Sequence, residues 1–195
     1  DAHTFDFSVA IPGLYNAYNA LAAASAALTI GVATGLVIET LGAFRSAFGR
    51  IERLSYRGRD LVIVLIKNPV GFDEVLRMLA SGGLREPTLI VINDLDADGR
   101  DVSWLWDVNV EQLADGSSPL YTSGIRGADM AVRLKYAGIA AARIHPLGDL
   151  ADSLDEFVDE IPAGATGYIL PTYTAMLQLR QMLVRSGAVT AFWEQ

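Results

Sequence analysis

Hydrophobic positions change period along the chain. After a turn at Pro12-Gly13, Leu14, Tyr18, Leu21, Ser25 and Leu28 recur at helical spacing. That pattern predicts a helix with this face turned inward, ended by Gly31. Val37, Leu41, Phe44 and Phe48 space a second helix, stopped near Gly49. Residues 5–11, FDFSVAI, alternate weakly and predict a short strand. Residues 1–48 thus read as strand, helix, helix.

The pattern then shifts. RIERLSYRGRDLVIVLIKN reads as a hairpin turning at Arg57-Gly58-Arg59. Leu61 to Ile66 is a continuous apolar run, as a strand buried on both faces requires. A short turn, KNPVG, leads into a helix carrying Phe72, Val75, Leu76 and Leu79. The strand TLIVIN (88–93) follows, then an acidic loop, then a short helix from Ser103 to Leu113. PLYTS, AARIH and GYILP read as further strands. RGADMAVRLKYAG, LADSLDEFVDEI (Leu150, Leu154, Phe157 and Ile161 inward) and TAMLQLRQMLVRSG read as helices. From residue 51 strands and helices alternate, which predicts an α/β fold with a mainly parallel, doubly wound, Rossmann-like sheet. Ligands of such sheets lie beyond the carboxyl ends of strands, where KNPVG and the acidic loop both fall.

Composition narrows the function classes. The 195 residues carry a formal charge of −8, and lysine occurs only at 67 and 135. No basic face for nucleic acid is visible. With no cysteine, the chain itself offers no disulfide, thiolate zinc site or cysteine nucleophile. That fits a reducing compartment. The most apolar stretch, ALAAASAALTIGV, is shorter than the roughly 20 residues of a membrane span and reads as a buried helix. No signal peptide is visible. The chain begins at Asp1, without methionine, within a segment that reads as structured, so a piece of a longer protein is expected.

Candidate chemistry concentrates in VINDLDADGRDVSWLWD, with Asp94, Asp96, Asp98, Asp101 and Asp107 around Gly99. Counted as a calcium loop, Asp94, Asp96, Asp98 and Gly99 stand at positions one, three, five and six. Position twelve is Leu105, which cannot ligate, and a strand precedes the loop where a helix is needed. Three readings stay open: a looser magnesium site, a carboxylate that orients a histidine, or a polar turn in which Asp101 or Ser103 caps the next helix. The chain's own histidines are poor partners, since His3 sits at a terminus and His145 at a strand end before Pro146.

PGLYNAYNALAA (12–23), AFGRIER (47–53), IKNPVGFDEVL (66–76), NDLDADGRDVSWLWD (93–107) and RLKYAG (133–138) together resemble the MurT family. These are the Mur-ligase-like subunits of lipid II isoglutaminyl synthase. The first stretch is shared with Mur ligases generally; KNPVG with the acidic loop is more specific. The resemblance implies the C-terminal end of a central ATPase domain over 1–48 and a Rossmann-like C-terminal domain over 49–195. The phosphate-binding loop of such ligases, and the four cysteines of the family's zinc ribbon, have no counterpart here. This piece alone is therefore expected to be inactive.

The resemblance also implies a reaction. The full protein, with ATP and magnesium, activates the α-carboxylate of D-glutamate in the lipid II stem peptide as an acyl phosphate, which ammonia attacks. Ammonia comes from a GatD-like class I glutaminase, whose catalytic triad takes an aspartate from the MurT subunit. That aspartate maps to Asp101. Asn16 and Asn19 match asparagines near adenine, and Arg50 matches an arginine near the nucleotide. Lys67 and Asn68, at a strand end, face the same cleft or build the turn before Pro69. No protein metal ligand is implied within this chain. The expected setting is the cytoplasm, at the inner face of the plasma membrane, with membrane contact only through the lipid-linked substrate. The alternatives are a Mur-type amino-acid-adding enzyme without a glutaminase, or a non-enzymatic metal- or protein-binding module.

Overall fold

The structure, a computed structural model, describes residues 4–9, 14–44, 51–81, 83 and 85–189. It divides into two compact units, residues 1–47 and 48–195.

The first unit holds two helices, α1 (Leu14–Thr29) and α2 (Thr34–Ala43). Gly31, at φ +87°, ends α1: the Gly31 and Val32 N–H groups bond back to the Leu28 and Ala27 carbonyls. Two expectations fail here. The buried face of α1 is Asn16, Ala20 and Ala24, while Leu14, Tyr18 and Leu21 are exposed. Small side chains let α2 approach closely and bury Val37, so the alanines take the inner face. Residues 5–9 form no strand, and residues 10 and 11 of that expected strand lie outside the described residues. The second helix ends at Ala43, with Phe44 already extended; Phe48 and Gly49 lie outside the described residues.

The second unit is a six-stranded sheet in the order β1-β2-β6-β3-β4-β5. The strands are β1 (Glu52–Tyr56), β2 (Arg59–Ile63), β3 (Thr88–Val91), β4 (Leu120–Ser123), β5 (Ile144–Pro146) and β6 (Thr166–Pro171). Only the β1–β2 hairpin is antiparallel. Its turn residues Arg57 and Gly58 have φ of 50° and 75°, the geometry that matches strand twist in a two-residue hairpin.

Helices α3 (Pro69–Ser81) and α4 (Gly127–Tyr136) lie on one face of the sheet; α5 (Leu150–Glu160) and α6 (Tyr173–Arg185) lie on the other. Period-two alternation feeds both cores. Val62, Ile90 and Ile92 meet Phe72, Leu76, Met130 and Leu134, while Leu61, Leu89 and Val91 meet Leu154, Phe157, Leu179 and Leu183. Each such side chain contributes roughly 1.5–3 kcal/mol by leaving water. Glu52 of β1 pairs with the buried Arg180 of α6, fixing the hairpin edge.

Two boundaries differ from expectation. Pro69 is the first residue of α3, so PVG is helical and only Lys67 and Asn68 form the turn. The segment after the acidic loop is two 3₁₀ turns, Ser103–Trp106 and Val110–Leu113, instead of one helix. Leu105, Val108, Val110 and Leu113 are all buried, a spacing that one α-helical face cannot supply.

Candidate functional site

Strand β3 lies between β6 and β4 near the middle of the sheet. The chain leaves β3 toward the α3–α4 face and leaves β6 toward the α5–α6 face. Their carboxyl ends therefore flank a topological switch point. Residues 93–107 occupy it.

In the first half of this loop Asn93, Asp94 and Asp98 are turned into their own protein, while Asp96 is exposed. Asn93, 2% exposed, donates its backbone N–H to Thr172 Oγ1 (3.0 Å) and its side-chain N–H groups to Thr174 Oγ1 (3.2 Å) and Gln178 Oε1 (3.1 Å). Its Oδ1 accepts from the Ile125 N–H (3.1 Å). Asp94, also buried, accepts from Arg126 Nε at 2.8 Å. Asp96 pairs with Arg100 at 2.8 Å. Asp98 accepts the Thr174 N–H at 2.9 Å and the Thr174 hydroxyl, capping the first turn of α6. The chain's own side chains thus bridge the crevice between the carboxyl end of β3 and α6. Each acid has a separate partner, and among the described residues no three acidic or histidine side chains converge as a metal site.

The second half is turned outward. Asp101 is exposed, and its Oδ1 accepts the Ser103 N–H at 2.8 Å, the turn-capping bond expected at this spacing. That N–H, and then the Ser103 side chain, hold the Asp101 carboxyl below the ordinary carboxylate range, so it is ionised at neutral pH. His145 stacks on Tyr121 (5.0 Å between ring centres) in the edge strand β5.

The other predicted site residues scatter. Asn16 is buried in α1, whereas Asn19 is exposed on it. Arg50 lies outside the described residues. Lys67 is exposed at the carboxyl end of β2. Asn68 Oδ1 accepts the Gly71 N–H (2.8 Å), so it caps α3 and builds the turn before Pro69. Thr172 holds the N-cap position of α6, and PTYTA initiates that helix.

Two features escaped the sequence reading. Arg133, buried in α4, donates to the Leu105 carbonyl (3.1 Å), the Val108 carbonyl (2.7 Å) and the Glu111 carboxylate (2.9 and 3.0 Å). It straps the outer half of the loop to α4. A cavity of about 320 Å³ opens on the α5–α6 side, lined in part by Asn93, Asp149, Gln178, Gln181 and Arg185. Neither shows in a local pattern, because their groups meet only after folding. Among the described residues no helix is long and apolar enough to cross a membrane.

Residues 65–176 match the family model for the MurT ligase C-terminal domain. The chain belongs to this MurT family. It is 35% identical, over 91% of its length, to the lipid II isoglutaminyl synthase (glutamine-hydrolyzing) subunit MurT of Streptococcus pneumoniae. It spans 40% of that relative's length. Among solved structures it resembles the UDP-N-acetylmuramate-alanine ligase MurC of Thermotoga maritima (TM-score 0.64, 15% identity, 94% of this chain and 40% of that one). It also resembles the folylpolyglutamate synthase of Mycobacterium tuberculosis complexed with ADP and AMPPCP (TM-score 0.62, 20% identity, 91% and 42%). These likenesses confirm the fold: the MurT-family chain has the mostly parallel α/β architecture of Mur ligases.

Proposed function

We propose that this chain is the C-terminal part of a MurT subunit of a glutamine-dependent lipid II isoglutaminyl synthase. The full assembly amidates the D-glutamate α-carboxylate of the stem peptide, at the cytoplasmic face of the membrane. Residues 49–195 are its C-terminal domain, and residues 1–48 are the end of its ATPase domain. The exposed Leu14, Tyr18 and Leu21 on α1 support the last point, because such a face is a core surface awaiting further chain.

The described residues do not fit a complete ATP–magnesium site: no acidic cluster and no phosphate-cradling loop is present. ATP and Mg²⁺ therefore belong to the full-length protein, where they supply activation of the carboxylate. In this reading Asn19 and Lys67, each exposed within its own unit, are the nucleotide contacts this chain offers. Asn16 is buried, and Asn68 Oδ1 is already engaged by Gly71, so any nucleotide contact from these two is secondary.

The chain's own chemical contribution is Asp101, directed at the histidine of a GatD-like class I glutaminase. One observation carries this reading: Asp101 is an exposed, ionised carboxylate in the loop that follows the central strand β3, with its orientation set by the Ser103 N–H. Such a carboxylate accepts the distal N–H of an imidazole, fixes the tautomer that deprotonates the nucleophile, and stabilises the imidazolium that forms. Glutamine hydrolysis then depends on assembly, so ammonia is released only where the ligase can use it. In the full complex, Asp101→Asn removes the charge and keeps the shape. Glutaminase kcat should fall on the order of 10³-fold or more, with complex formation intact. Normal turnover in that variant would sink the reading.

A further inference from the structure

Beside Asp101 stands a surface with no role in the triad. Trp106, 55% exposed, ends the first 3₁₀ turn, and Tyr136, 74% exposed, ends α4. Their rings meet edge to face with centres 5.8 Å apart. Val132, 46% exposed, stands one turn earlier on the same stripe of α4. Three large apolar side chains thus form a ledge in water.

The ledge is held in place although nothing covers it. The buried Arg133 bonds to the carbonyls of Leu105 and Val108 on either side of Trp106, and its guanidinium carbon lies 5.4 Å from the centre of the Trp106 ring. Trp104 turns the other way, edge-on to the buried Phe72 at 6.5 Å. One short turn therefore sends one tryptophan to the core and presents the other. A tryptophan and a tyrosine fixed before binding lose little side-chain freedom when covered, which is the property of an interface anchor.

We infer that the Trp106–Tyr136–Val132 ledge is the anchor on which the glutaminase subunit docks. This deepens the reading of Asp101 and rests on it. Two observations select this occupant over a second copy of the chain. The Ser103 N–H that holds Asp101 opens the same 3₁₀ turn that ends at Trp106, so a protein whose histidine reaches Asp101 also meets the ledge. The exposed rim carries the acids Asp101 and Asp107 against Lys135, while Asp129 is paired with Arg126 at 3.7 Å. Two copies placed face to face would oppose Asp101 and Asp107 to their own copies, whereas a subunit with basic groups around an apolar seat is complementary.

The test uses the full-length protein and the class I glutaminase subunit of the same organism, with Kd measured by calorimetry. Trp106→Ala should weaken binding about 30-fold or more, Tyr136→Ala about tenfold, and Trp106→Phe least. Glutamine hydrolysis by Trp106→Ala should recover at saturating partner, whereas that of Asp101→Asn should not. A Kd within twofold of wild type for Trp106→Ala, with its melting temperature unchanged, overturns the ledge and leaves the Asp101 reading standing. Full hydrolysis by Asp101→Asn sinks the triad reading and, with it, the choice of occupant. A wild-type homodimer that Trp106→Ala dissociates overturns the ledge in favour of self-association.

Discussion

The two halves of one loop behave in opposite ways. Between Asn93 and Asp98 three of the four polar side chains turn inward, Asp96 alone being exposed: Asn93 and Asp98 engage Thr172, Thr174 and Gln178 in and just before α6, and Asp94 engages Arg126. From Asp101 to Asp107 the acids turn outward, with Asp101, Trp106 and Asp107 exposed, while Trp104 and Leu105 anchor the segment in the core and Arg133 straps its backbone. The residue types are similar and the chain distance is short. What differs is whether a folded partner group is within reach. The inward half spends its polar groups on bridging the switch point, so it is architecture. The outward half keeps its groups for something else. The comparison predicts that stability lives in the first half and partner-dependent activity in the second.

The largest test is Asn93→Ala. It leaves the Ile125 N–H without its acceptor and removes both donors to α6, in a site that is 2% exposed. Loss of stability on the order of 3 kcal/mol is expected in urea unfolding of the isolated chain. Asp98→Ala should cost about 1–2 kcal/mol, because α6 loses its cap. By contrast, Trp106→Ala should cost less than about 1 kcal/mol, the value of an exposed aromatic contact. If Trp106→Ala destabilised the isolated chain as much as Asn93→Ala, the division of the loop would be wrong.

Much of this architecture was legible in the sequence, and the reasons are specific. The alternation of strands and helices from residue 51, the hairpin at Arg57-Gly58 and the buried face of α3 all follow from local period and turn chemistry. Asp101 as the cap of the following turn follows from its two-residue spacing to Ser103. The face of α1 did not follow. Periodicity marks Leu14, Tyr18 and Leu21 as one stripe, but which stripe is covered depends on chain that lies elsewhere. The same limit hid Arg133 and the Asn93 hub. Arg133 meets carbonyls 25 and 28 residues away, and Asn93 meets α6 some 80 residues on. Arg133 reads locally as one more charge on an amphipathic helix, and no local spacing separates it from a solvated one.

The finest distinction between the halves is electrostatic. The Asp101 carboxyl is held below its ordinary value first by the Ser103 N–H and second by the Ser103 side chain. A depressed carboxylate favours the folded state above its unfolded pKa, and that contribution disappears as pH falls through the folded value. Because Asp101 is exposed, the effect on overall stability is small; its visible consequence is a charge that persists into mildly acidic solution. Ser103→Ala removes the lesser cause and keeps the greater. The Asp101 titration, followed by carboxyl-carbon NMR in the isolated chain, should move upward yet stay below the ordinary carboxylate range. A midpoint above that range in the wild-type chain would mean a carboxylate desolvated by its own protein. The outward half of the loop would then have lost its free acid.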